Sequence, residues 1–401
     1  MTGPIADEGA PIVVVGGGLA AGTAVTTLRE QGYAGPLVVL AAERELPYER
    51  PPLSKGYLMG KAPAEKALVH DAAWYAEHDV EVRTGTRVTA IDPAGHTVTV
   101  DGRALSYAKA LLATGAEPRR LALADDAGVP PTYLRTLADA TALKDQLRPG
   151  RRIGVVGGGW IGLEVAAAAR EAGSEVVVLE MAAQPLLGVL GEEVGRIFAD
   201  LHRGRGVDLR TGVSIGTIRA GASGGALIGL TDGASIEVDH LVVGVGVVPV
   251  TDLAEAAGLV VDNGIRTDAR LRTSAPDLYA AGDVANADHP VLGRPVRTEH
   301  WDTAIQHGRV AAANLLGGDA VADALPYFFT DQYDLGMEYV GSPGPAGFDR
   351  VEITGDVAAL RFRATWLRRE GSEGRERVVA AMHVNDWDAI DEIRAQVGGL
   401  R

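Results

Sequence analysis

Two glycine clusters carry the first chemistry the sequence offers. Gly16, Gly17 and Gly18 follow the β-branched run Ile12–Val15, and Gly157, Gly158 and Gly159 follow residues 153–156. A turn without side chains lets backbone N–H groups close on phosphate oxygens, and a helix that begins there adds the positive end of its dipole. Gly157, Gly159 and Gly162 fit GxGxxG; in the first cluster Gly16 and Gly18 fit, with Ala21 in the third place and Gly22 beside it. That third position governs only helix–strand packing, so alanine is compatible with it. An acid follows each cluster, Glu43 and Glu180, near the distance at which a carboxylate grips a ribose 2′-hydroxyl. One such pattern is weak evidence; two in one chain point to two bound dinucleotides.

Glu180 ends the run 176–179, and residues 181–184 carry no positive charge. Facing an extra 2′-phosphate it meets repulsion of roughly 4 kcal/mol per charge pair at an effective dielectric of ~20. A third of that gives ~10-fold discrimination, so NADH is preferred to NADPH. For Glu43, preceded by Ala42, a one-residue shift decides whether the carboxylate faces a ribose.

The elements that position these turns are short. Ile12–Val15 reads as a strand buried on both faces, 19–31 as a helix and Leu37–Leu40 as the next strand. The order recurs at 153–156, 160–172 and 176–179, with Pro149 and Gly150 punctuating the boundary before it. Each is a βαβ unit of a parallel sheet. Apolar runs at 241–248 and 278–283 close on glycine-containing turns. From about Pro326 aromatics become denser, and 360–367 and 378–383 read as half-exposed strands. The expected fold is α/β: two Rossmann-like dinucleotide-binding domains and a small C-terminal α+β domain.

Composition narrows the function. A chain of 401 residues suggests two or three domains. It contains no cysteine, which excludes disulfides, thiolate metal sites and redox steps through a cysteine pair. The net charge of −15 argues against a nucleic-acid partner. The acidic N-terminus lacks a signal-peptide pattern and the apolar runs fall short of the ~20 residues of a membrane span, so a soluble cytoplasmic protein is expected. No histidine, including His300 and His307, stands in metal-ligand spacing with a partner, and no metal is expected.

Three further motifs add a resemblance. "LPYERPPLSKGYL" at 46–58, "ATG" at 113–115 and "YAAGDVA" at 279–285 make the chain similar, over nearly its whole length, to a family of FAD flavoproteins. These are the NADH-dependent ferredoxin reductases of bacterial oxygenase and P450 systems, the putidaredoxin reductase-like family. The resemblance implies a glutathione-reductase-like arrangement: an FAD domain at 1–116 and 246–326, an NAD domain at 117–245 and a third domain at 327–401. It places Arg50 and Lys55 along FAD, Lys55 near the reactive edge of the flavin and paired with Glu164 from the second helix. A buried cation there stabilises the anionic reduced ring. It also implies FAD contacts from Ala20, Val88, Ala113, Thr114, Gly115, Arg135, Gly282 and Trp301. Asp283, read as opening a helix, is expected to bind the ribityl chain. In "PYFFTDQYD", 326–334, Phe329 stands where the family places a tryptophan, which keeps apolar cover and loses an indole N–H.

The implied reaction passes a hydride from NADH to FAD and then single electrons to a 2Fe–2S ferredoxin or a rubredoxin. The absence of cysteine sets aside the thiol-dependent members of the fold group. Ferredoxins are usually acidic, so docking on an acidic chain calls for a local basic patch, for which Arg294, Arg297 and Arg309 are candidates. Two alternatives stay open: reduction of a small organic radical or quinone, as in monodehydroascorbate reductases, and a redox-sensing role like that of apoptosis-inducing factor. The chain is expected to act as a monomer or homodimer.

Overall fold

Ile12–Val15, wholly buried, sits at the centre of a five-stranded parallel sheet in the computed structural model. The strand order is Leu278–Ala280, Lys109–Leu112, Ile12–Val15, Leu37–Leu40 and Val80–Arg83. Ile12 is in register with Leu37 on one side and Lys109 on the other. The continuous apolar runs follow from burial on both faces. On one face, helices Leu19–Glu30 and Trp301–Leu315 share a core in which Ala20, Ala24 and Leu28 join Ala304, Ala311 and Leu315. Their approach is close: a Cβ at Gly308 would lie 2.8 Å from the carbonyl oxygen of Ala20.

The structure describes residues 9–222, 224–371 and 374–400. Among them two compact units form, one of 9–50, 64–117 and 248–326, the other of 51–63, 118–247 and 327–400. The second contains a parallel sheet ordered Asp208–Thr211, Glu175–Glu180, Arg152–Val156 and His240–Val243, with helix Trp160–Glu171 after its central strand. It also contains a five-stranded antiparallel sheet ordered Tyr327–Gln332, Leu335–Gly341, Arg375–Val384, Arg361–Glu370 and Arg350–Asp356. Among the described residues no helix is long and apolar enough to cross a membrane.

Three expectations about elements are corrected. The glycine-containing turn lies inside the run 241–248 and does not close it: strands His240–Val243 and Val247–Pro249 flank Gly244, whose carbonyl abuts Gly157. Residues 378–383 are buried on both faces, since Arg375–Val384 has a strand on each side and apolar groups above and below. Asp283 opens no helix: it lies in the 3-10 turn Gly282–Val284, and the chain continues as strand Ala285–His289. No helix therefore begins at Asp283.

Candidate functional site: two glycine turns and a buried ion pair

Two of the six turn glycines are required by the protein's own backbone. Gly16 has φ +131° and a Cβ there would fall 2.1 Å from the Ala113 carbonyl oxygen; Gly157 has φ +103° and its Cβ would fall 2.3 Å from that of Gly244. Gly18 and Gly159 differ, since a Cβ at either meets nothing within 4 Å. Each is the N-cap of a 12-residue helix that has no side-chain cap and no acid in its first turn. Uncapped first-turn N–H groups beside open space fit a pyrophosphate at both turns. Gly162 serves packing, its Cβ position lying 2.1 Å from the Gly157 carbonyl, whereas Ala21 is accommodated fully buried in the first unit.

The acids are not equivalent. Gly16 N–H donates to Leu40 O, and Gly157 N–H to Leu179 O, both at 2.9 Å. The residue after Leu179 is Glu180, whose Oε2 accepts the Gly158 N–H at 2.6 Å and whose Oε1 accepts the Ala182 N–H at 2.7 Å. The residue after Leu40 is Ala41, and Glu43 lies two positions beyond it. Glu43 instead accepts the Tyr48 hydroxyl at 2.5 Å and Arg50 Nη2 at 2.8 Å. Its carboxylate is thus engaged by a guanidinium, and it does not stand directly after the strand as Glu180 does in the second unit.

Most of the residues expected around FAD fall in the first unit: Gly16, Gly18, Ala20, Glu43, Arg50, Val88, Ala113, Thr114, Gly115, Gly282, Asp283 and Trp301. Burial works against the charge on Arg50, but Tyr48, Glu43 and Asp283 outweigh it and hold the guanidinium above its ordinary value. Thr114 donates to Val250 O at 2.8 Å, and Trp301 Nε1 donates to Glu49 Oε2 at 2.9 Å. Gly282, at φ +76°, donates to His307 Nδ1 at 3.4 Å. Burial pushes His307 down to about 4. Arg135 belongs to the second unit, where its N–H donates to Asp139 Oδ2 at 3.2 Å.

Pro51 and Pro52 open the 3-10 turn Pro51–Ser54 and set the direction of the next residue, Lys55. Lys55 Nζ lies 2.7 Å from Oε1 of Glu164, which is 3% exposed on helix Trp160–Glu171. The same carboxylate accepts the Ser54 hydroxyl at 2.5 Å and the Thr330 hydroxyl at 2.6 Å. The Lys55 ammonium stands 5.4 Å from the centroid of the Phe329 ring. Burial raises Asp331 above its ordinary value despite the opposing pull of Lys55. Ser54 and Thr330 went unread in the sequence: their only signal was adjacency to Lys55 and Phe329.

Of the three arginines considered for docking, Arg297 is 11% exposed and holds Glu299 at 2.6 Å and Asp283 O at 3.3 Å, a structural role. Arg294 is partly exposed and donates to Pro295 O at 3.2 Å, and Arg309 is exposed. Among the described residues no group of three or more potential metal ligands occurs.

A family model described as pyridine nucleotide-disulphide oxidoreductase matches residues 10–308. The chain is 46% identical to the ferredoxin–NAD(+) reductase component of an anthranilate 1,2-dioxygenase system from Burkholderia cepacia, over 94% of this chain and 91% of that one. It is 37% identical to putidaredoxin reductase of Pseudomonas putida, over 93% and 88%. Among solved structures, the covalent putidaredoxin reductase–putidaredoxin complex matches with a TM-score of 0.90 and 35% identity, over 98% of this chain and 94% of that one. A ferredoxin reductase from Rhodopseudomonas palustris matches with a TM-score of 0.90 and 32% identity, over 97% and 95%.

Proposed function

The chain belongs to the pyridine nucleotide-disulphide oxidoreductase family, and on that premise we propose that it is an FAD-dependent NADH:ferredoxin reductase supplying an oxygenase or P450. The observation that carries this reading is the presence of two phosphate-ready glycine turns in a sequence without cysteine. In a family named for a disulfide, this chain has no thiol to receive electrons from a flavin, so they leave to an external acceptor. Relatives named as ferredoxin reductases support a ferredoxin in that role, and we assign it to the 2Fe–2S kind.

FAD, when bound, supplies the conversion between a hydride donor and one-electron outputs. The chain's residues supply charge, fit and orientation. The turn at Gly16 and Gly18 and the helix after it take the FAD pyrophosphate. Arg50 adds a positive charge fixed by Glu43 and Tyr48, and Asp283 offers a carboxylate to a ribityl hydroxyl. Ala20, Val88, Ala113, Thr114, Gly115, Gly282, Trp301 and Arg135 shape the remainder. Lys55, anchored by Glu164, supplies the cation that favours the reduced ring, and Phe329 supplies apolar cover. At the second turn Gly157 and Gly159 receive NADH, Gly162 brings the helix close enough to form that turn, and Glu180 takes its ribose hydroxyls and repels a 2′-phosphate.

Stopped-flow reoxidation of the NADH-reduced protein tests the reading. Rapid reoxidation by a ferredoxin encoded beside the gene is the expected result. Reoxidation by a quinone or organic radical alone would transfer the assignment to those acceptors, and slow reoxidation by both would favour redox sensing. A colourless protein that cannot be reconstituted with FAD would overturn all three.

A further inference from the structure

The Glu164 carboxylate is the end of a buried hydrogen-bond chain that starts at the tip of the hairpin formed by Tyr327–Gln332 and Leu335–Gly341. Thr330 Oγ1 lies 2.6 Å from Glu164 Oε1, and Gln332 Nε2 lies 3.2 Å from Thr330 Oγ1. Gln332 Oε1 is 2.8 Å from His202 Nε2, and His202 Nδ1 is 3.4 Å from the Tyr333 hydroxyl. Glu164, Thr330, Gln332 and His202 are each no more than 3% exposed. Beyond Tyr333, Arg205 stacks on its ring and pairs with Asp334.

The carboxylate dictates the polarity of every link. It only accepts, so Thr330 donates to it and has lone pairs left for Gln332. Gln332 therefore turns its NH2 group to Thr330 and its carbonyl oxygen to His202. His202 must then carry its proton on Nε2, leaving Nδ1 to accept from Tyr333. Burial pushes His202 down to about 4, which keeps the ring neutral as this order requires. All donors point one way, the arrangement in which hydrogen bonds polarise one another favourably. The amide in the middle excludes a proton relay, since it has no hydrogen to pass on and keep its form. The chain orients.

We propose that His202 is a positioning residue for the Lys55–Glu164 pair, acting through Gln332 and Thr330 to fix the carboxylate orientation that meets the Lys55 ammonium. Its effect on the flavin rests on the reading of Lys55 given above; the ordering of the chain does not.

The test uses the FAD-loaded protein and two readouts. Side-chain 15N NMR of the histidines should show His202 with its proton on Nε2, and Glu164→Gln, which lets residue 164 donate, should release that preference into a mixture. The second readout is the two-electron flavin midpoint potential. Thr330→Val should change the reduction equilibrium three- to ten-fold, about 15 to 30 mV, and His202→Phe should shift it less and in the same direction. His202→Gln, which keeps a donor, should restore at least half of the His202→Phe shift, and the double variant should match Thr330→Val alone. Gln332→Met replaces His202→Phe in this scheme if the latter does not fold. A proton on Nδ1 of His202, additive shifts in the double variant, or an unmoved potential in His202→Phe while Lys55→Met moves it would overturn the proposal. If Lys55→Met moves nothing, the flavin-side reading fails and the tautomer result alone decides the chain.

Discussion

Glu180 Oε2 accepts the backbone N–H of Gly158 at 2.6 Å, so the acid that ends one strand is tied to the turn that follows its neighbour. The second contact, from the Ala182 N–H, engages the other oxygen. A carboxylate held at both oxygens keeps its charge in a fixed place.

Glu180→Ala is therefore expected to lower the NADH-over-NADPH preference in kcat/KM about 10-fold. Glu180→Gln separates the contributions, because it keeps one acceptor and removes the charge. It should lose most of the preference while changing NADH use less than alanine does. Steady-state kinetics with both nucleotides decide this; an unchanged ratio in Glu180→Gln would remove charge as the basis of selectivity.

Gly18 and Gly159 have room for a methyl group as far as the protein is concerned, and neither has a positive φ. Alanine at either position should cost no more than about 1 kcal/mol of stability, the usual N-cap effect. Gly18→Ala should nonetheless lose FAD on desalting, and Gly159→Ala should keep FAD and raise the KM for NADH at least several-fold. Flavin absorbance after gel filtration, beside denaturant unfolding, checks both.

Breaking the ion pair at Glu164 leaves a buried ammonium and two hydroxyls without their acceptor. Glu164→Leu should destabilise the second unit by about 3 to 5 kcal/mol. Adding Lys55→Met should recover at least half of this, since removing both charges costs far less than stranding one. A double-mutant cycle by denaturant unfolding measures the coupling, and strict additivity would contradict it.

His202 and His307 are both lowered to about 4 by burial, one in each unit. An unfolded histidine titrates near 6.5, so the unfolded state binds more protons between those values. The stability contributed by each neutral ring is complete above about pH 6.5 and is lost as pH falls towards 4. At pH 5 the loss is on the order of 2 kcal/mol per histidine. Asp331, raised by burial, acts in the opposite direction. Unfolding at about pH 7.5 and about pH 5 should show a slope that His202→Gln and His307→Gln each flatten, in different transitions if the units unfold separately.

Much of the fold was legible because its signal is local. Strands Ile12–Val15 and Leu37–Leu40 appear with the bounds expected of them, and the second βαβ unit differs by single residues at its ends. The misread parts depend on what stands opposite. The unbroken apolar run from Val378 to Met382 fits a strand covered on both faces better than a half-exposed one, and the neighbouring elements supply that cover. Glu43 shows what spacing alone leaves out: strand Leu37–Leu40 ends before it, Ala41 stands directly after the strand as Glu180 does in the second unit, and the carboxylate meets Arg50. Asp283 lacks a helix because residues 285–289 pair with Ile265–Thr267 and Arg294–Val296 instead of coiling. The hydroxyl partners of Glu164 went unread for a simpler reason: Ser54 and Thr330 come from distant segments, and hydroxyl residues carry no periodic signal.

The position of Leu278–Ala280 in the first sheet bears on how the chain emerges from the ribosome. Its partner, Lys109–Leu112, is made much earlier, and the whole 118–247 segment intervenes. At about 5 to 20 residues per second the gap lasts roughly ten to thirty seconds. During that time Lys109–Leu112 is an unpaired, apolar sheet edge of the kind that recruits other chains. The nascent protein thus carries that open edge while the intervening segment is being synthesised, and the strand that covers it, Leu278–Ala280, is the one that leads through Ala281 into Gly282 and Asp283.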